Sequence, residues 1–314
     1  MLRLMLAGLL LVSAPAYARK PAPDIIVLNA DKPLAARING NPVQLMPTTS
    51  DVDHIMLNQP AVTRLGLSAQ QLDQLGDLRV GGRTVMRGRH GDAWVVVGER
   101  RQRQQIFWFP GVAPFDHDGS IGPFALPHRT VQLAWADGDA PQHAWRLVGG
   151  INTLADGVAA VGGRSFYLGV DIRRRRTLPL VTASTAADLA AVLGGRLEGP
   201  VWQEVITMGI SRPVRRMRFD TPLVIGPFRF NEVAVRVRDA DVADGLSRLG
   251  GGQKALRDAG EDPAETLVRG RNVGRQSVVR ALVLSRTQLD AHGCTRLIID
   301  KRQRLFILAC RGAA

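Results

Sequence analysis

The chain has little cysteine, lysine or aromatic side chain, and beyond its N-terminus it has no long apolar run. Of 314 residues, 2 are Cys, and Phe, Trp and Tyr together make up 5%. Two cysteines exclude a disulfide-dense scaffold and a multi-cysteine metal centre. Lysine is confined to Lys20, Lys32, Lys254 and Lys301, yet Lys+Arg totals 41 against 28 Asp+Glu, a net charge of +13 carried mainly by arginine. Such a surface suits anionic lipid head groups, polysaccharide or acidic peptides. Arginine-rich codon composition accounts for the same bias without any partner. The densest basic runs, Arg173 to Arg176 and Arg215-Arg216, read as solvated strand ends or hairpin tips. The six histidines are scattered without metal-ligand spacing, and the Gly-Gly pairs lack the following helix and lysine of a phosphate loop. No metal or cofactor is expected.

Met1 to Ala18 combines one charge at Arg3, an apolar stretch from Leu4 to Val12, and Ala16-Tyr17-Ala18 as a cleavage site. That is the layout of a secretory signal peptide, too short to span a bilayer as a mature helix. The mature protein is expected to be periplasmic or secreted after cleavage near Ala18, not membrane-spanning, and not a partner of nucleic acid. In an oxidising compartment Cys294 and Cys310 are expected to form a disulfide. They flank strand, turn, strand, and with the turn centred at Arg302, Asp300 faces Arg304 and the cysteines face each other.

Short Val, Ile, Leu and Phe runs broken by Gly-Pro, Gly-Gly and Asn-Gly favour β structure with tight turns. The nearly 300 mature residues suffice for two domains. An internal repeat divides them into a leader (19–30), a first lobe (31–148), a linker (149–164) and a second lobe (165–314). A polar, Gly-rich insertion at about 239–276 interrupts the second lobe. It reads as a mobile surface excursion, either a lid or an ornament. The repeat rests on four landmarks in one order. Val43 to Pro47 leads into Thr48-Thr49-Ser50, and Leu178 to Val181 leads into Thr182-Ala183-Ser184. A short helix closed by glycine follows each, at Gly66 and at Gly194-Gly195. Ile121-Gly122 then matches Leu284-Ser285, and Leu126 matches Leu289.

Asn39-Gly-x-Pro-Val, the apolar strand, Thr48-Thr-Ser, Ile55-Met-Leu57 and Ala61-x-x-x-Leu65-Gly66-Leu67 together resemble bacterial retropepsin-like aspartic peptidases. The resemblance implies a mainly β fold of two acid-protease β-barrel lobes facing a cleft, and it covers residues 31 to 310 twice over. In that family the strand enters Asp-Thr-Gly. By this register Thr48 and Thr182 stand at the two aspartate positions, with Ser50 and Ser184 in place of the glycines, beside Thr49 and Ala183. The chemistry needs two carboxylates sharing a proton, and a threonine hydroxyl cannot act as the base. The second lobe has no acid between Asp171 and Asp188. A catalytically inactive relative that binds an extended peptide is therefore expected. Two alternatives stay open: an active endopeptidase using Asp51, and a basic envelope-associated structural protein that meets anionic lipid or glycan.

Overall fold

The computed structural model describes residues 24–49, 54–67, 74–80, 84–109, 117–150, 153–207, 210–237 and 280–312. The proposed signal peptide, Ser50, Asp51 and the insertion at about 239–276 lie outside the described residues. The chain is mainly β, as expected, and its strands form two sheets. A seven-stranded sheet holds β2 (Leu34–Ile38), β3 (Asn41–Pro47), β4 (Ile55–Leu57), β5 (Gln74–Val80), β6 (Thr84–Val97), β7 (Arg100–Trp108) and β8 (Gly119–Ile121). A twelve-stranded sheet holds β1 (Ile25–Asn29) and β9 (Thr130–Ala134) through β19 (Leu305–Cys310).

The two halves share one strand interleave. In the first, β8 lies between β3, parallel to it, and β4, antiparallel, and β4 pairs parallel with β7. In the second, β17 (Ala281–Ser285) lies between β12 (Arg164–Asp171) and β13 (Leu180–Val181) in the same senses. There β13 pairs parallel with β16 (Phe228–Arg236). β4, β8 and β13 are buried along their whole length, which is why β4 and β13 read as unbroken apolar runs without alternation. β12 and β13 are not a hairpin. Both pair with β17, more than 100 residues further on.

Local signals hold where the backbone demands them. Asn39 and Gly40 both take positive φ between β2 and β3, the two-residue turn that Asn-Gly favours. α1 (Gln59–Arg64) carries Pro60 in its first turn and is followed by Gly66 at φ +59. α2 (Ala183–Leu193) is capped by Thr182, whose Oγ1 accepts from Thr185 N, and ends on the left-handed Gly194. The stretch 149–164, expected as a linker, is built into the large sheet. There β11 (Thr153–Val161) joins β10 (Gln142–Gly150) to β12.

The last hairpin carries the Cys294–Cys310 disulfide between opposed residues of β18 (Cys294–Asp300) and β19. Asp300 faces Leu305 and not Arg304, and a bulge between Cys294 and Arg296 restores the register. The pair is buried, and Trp135 donates its indole N–H to Cys294 O at 2.8 Å. Replacing both cysteines by alanine is expected to cost about 3 kcal/mol through restored chain entropy of the unfolded state. Urea melts of the oxidised protein and the double variant measure it.

Candidate functional site

The shared interleave fixes which residues of the two halves correspond. Leu57 and Val181 each end a buried strand one residue before a helix N-cap, Asn58 and Thr182. Leu57 pairs with Gly119, and Val181 with Leu282. Gly119 in turn pairs with Leu45, and Leu282 with Leu168. Counting along the two strands matches Pro47 to Val170 and Thr48 to Asp171.

This corrects the register expected from the sequence. Thr182 corresponds to Asn58, and both are buried N-caps. Thr182 Oγ1 also accepts from Ala281 N at 3.1 Å, so its side chain is committed to the helix start and the β17 edge. Ala183 and Ser184 are residues of α2. The residue that corresponds to Thr48 is an acid, Asp171, at the end of β12. Thr48 keeps its expected place directly after β3, where its N–H donates to Ile121 O at 3.1 Å.

A hydrogen bond between the halves supports the equivalence. Thr49, one residue past Thr48, donates its hydroxyl to the carbonyl of Val170, one residue before Asp171. The bond is buried and joins residues 121 apart in sequence. Its counterpart cannot form, because Ile172 stands where a second threonine would donate back. Two polar contacts reach the segment that follows β1: Arg286 binds Asp31 at 3.2 Å, and Arg173 donates to Ala30 O at 3.3 Å.

Asp171 is 6% exposed and Arg176 is 4% exposed. Arg176 Nη2 lies 3.2 Å from Asp171 Oδ2, while Arg173 N donates to Oδ1 at 3.2 Å. The same Nη2 donates to the carbonyls of Val205 and Ile206, both at 3.1 Å, and Nε lies 3.6 Å from Glu204 Oε1. Those three residues belong to β14 (Gly195–Thr207), which runs into β15 (Ile210–Ile225). The arginine therefore joins the acid to the β14–β15 hairpin. Its backbone is gripped in turn. Ser285 Oγ accepts from Arg176 N at 3.0 Å, and Gln288 Nε2 donates to Arg176 O at 2.7 Å. Of the basic run 173–176, expected to be solvated throughout, the last arginine is thus internal.

What this arrangement can do chemically is limited. An acid pair that activates water needs one carboxyl to hold the proton that the other gives up. The residue that corresponds to Asp171 in the first half is a threonine, and the carboxylate is already engaged by a guanidinium and a backbone N–H. Sequence reasoning missed Asp171 and Arg176. The signal was the strand Phe166-Tyr-Leu-Gly-Val170 ending directly on an acid. Among the described residues no cluster of His, Cys, Asp or Glu could hold a metal ion, and no helix is long and apolar enough to cross a membrane.

No family model matches the chain, and no curated protein matches it. Among solved structures, the aspartic proteinase from Irpex lacteus aligns over 88% of this chain and 93% of its own length. The identity is 11% and the TM-score 0.38, a likeness that carries no functional inference.

Proposed function

We propose that the protein is an exported, catalytically inactive aspartic-peptidase-like module that holds an extended polypeptide segment between its two halves. One observation carries the reading: the two corresponding positions hold a threonine, Thr48, and an acid, Asp171, that is buried against Arg176. The repeated interleave and the Thr49 hydroxyl reaching across to Val170 support descent from a two-lobed peptidase plan. A cleft of that kind binds extended chains by strand addition and side-chain pockets, neither of which needs a carboxylate pair. The acid at position 171 replaces Thr182 in this reading. Asp51, outside the described residues, has no role in it.

A second reading draws on the exposed arginines. Arg103, Arg175 and Arg196 keep most of their side chains in solvent, a surface suited to anionic lipid or glycan of the envelope. Incubating the immobilised mature protein with a proteome-derived peptide mixture separates the two. Enrichment of intact peptides is the expected result. Absence of enrichment, with salt-sensitive binding to anionic vesicles, would replace the first reading by the second.

A further inference from the structure

The sheet face that carries Asp171 carries a second carboxyl. β11 and β12 pair so that Gly157 faces Leu168, and one step further along this antiparallel register sets Asp156 across from Gly169. Residues two apart on a strand share a face, so Gly169 and Asp171 point the same way, and Asp156 joins them there. The glycine is what makes room. A Cβ at 169 would lie 2.9 Å from Asp156 Oδ1 and 3.5 Å from a methyl of Val283.

Asp156 is half-buried, and burial pushes its carboxyl up to about 7. It has no hydrogen-bond or ion-pair partner among the described residues, in contrast to Asp171 two steps away. The cations near it are committed or displaced. Arg176 serves Asp171 and the β14 carbonyls. On β10, Asp156 faces Val148, while Arg146 faces Val158. A protein with net charge +13 thus keeps one carboxyl on this face without a cation.

We propose that Asp156 selects the ligand of this junction, an extended polypeptide that presents a lysine or arginine side chain to its carboxylate. The inference rests on the peptide-binding reading and adds the ligand class to it. Gly169 is the positioning residue, because a Cβ there would lie 2.9 Å from Asp156 Oδ1 and displace the carboxyl. The contact must be short-range, since the protein as a whole repels a basic peptide. Added salt screens that repulsion while leaving a partly buried pair largely intact. Affinity for a basic peptide should therefore hold or rise with salt, the opposite of acidic peptides caught by a basic surface.

The test measures binding of fluorescent extended peptides to the full mature chain at about pH 8, above the raised value at which the carboxyl ionises, in matched sets where one lysine is replaced by glutamine at successive positions. Lysine at one position is expected to tighten binding about 10- to 100-fold over glutamine, the range of a charge-assisted hydrogen bond. Asp156→Asn should erase that preference while leaving the glutamine peptides bound as before. Gly169→Ala should weaken it by displacing the carboxylate. If peptides bind with no preference for lysine, or if Asp156→Asn keeps the preference, the inference falls and peptide binding stands. If no peptide of either kind binds, both fall.

Discussion

Arg176→Ala is expected to destabilise the fold by about 3 to 5 kcal/mol, the cost of leaving one member of a buried ion pair uncompensated. Three acceptors lose their donor at once: Asp171 Oδ2 and the carbonyls of Val205 and Ile206. Asp171 is 6% exposed, so water does not readily replace the guanidinium. The midpoint of urea unfolding should fall with little change in slope, since the surface exposed on unfolding stays the same. Asp171→Asn in the Arg176→Ala background should recover part of the loss by removing the stranded charge. A full cycle of the two single variants and the double variant isolates their coupling. Equal midpoints for wild type and Arg176→Ala would mean that the arginine does not hold Asp171 in solution.

Asp156→Asn should behave in the opposite way, stabilising the protein at alkaline pH. Burial raises the carboxyl from its ordinary value of 3.8 to about 7, so between those values the folded protein holds a proton that the unfolded chain has released. Below the lower value both states are protonated and the group has no effect. As pH rises through the window, stability falls by about 1.4 kcal/mol per pH unit, and above the upper value the loss is complete, on the order of 4 kcal/mol. Asparagine cannot ionise and removes this slope. The variant should match wild type near pH 4 and exceed it by a few kcal/mol at about pH 8. Denaturant midpoints at several pH values measure the difference. Parallel profiles for the two proteins would mean that the carboxyl is not buried as described.

The fold was largely legible in the sequence. Strands buried on both faces read as short apolar runs, and Asn39-Gly40, Gly66 and Gly194 mark their turns and helix ends because positive φ leaves few other residues comfortable. The repeat was legible too, since Ile121 and Leu284 occupy matching places in the two interleaves. The site was legible in one half only. Thr182-Ala183-Ser184 imitates Thr48-Thr49-Ser50 in composition, and an apolar run precedes both, so the pattern settled past β13, at the start of α2, and not at the end of β12. The pairing that decides the register, β12 with β17, joins segments more than 100 residues apart and leaves no local trace. Arg176 was hidden for a different reason. A run of four arginines is normally solvated, and nothing in their order shows that the fourth meets an acid five residues earlier.

The most direct measurement is proteolysis itself: the folded protein incubated with a diverse peptide mixture from acid to neutral pH, with and without pepstatin, and the products read by mass spectrometry. A junction of Thr48 and an arginine-bound Asp171 should leave every peptide intact across the range. Reproducible, pepstatin-sensitive cuts that disappear in Asp171→Asn would contradict it and make this an active aspartic peptidase.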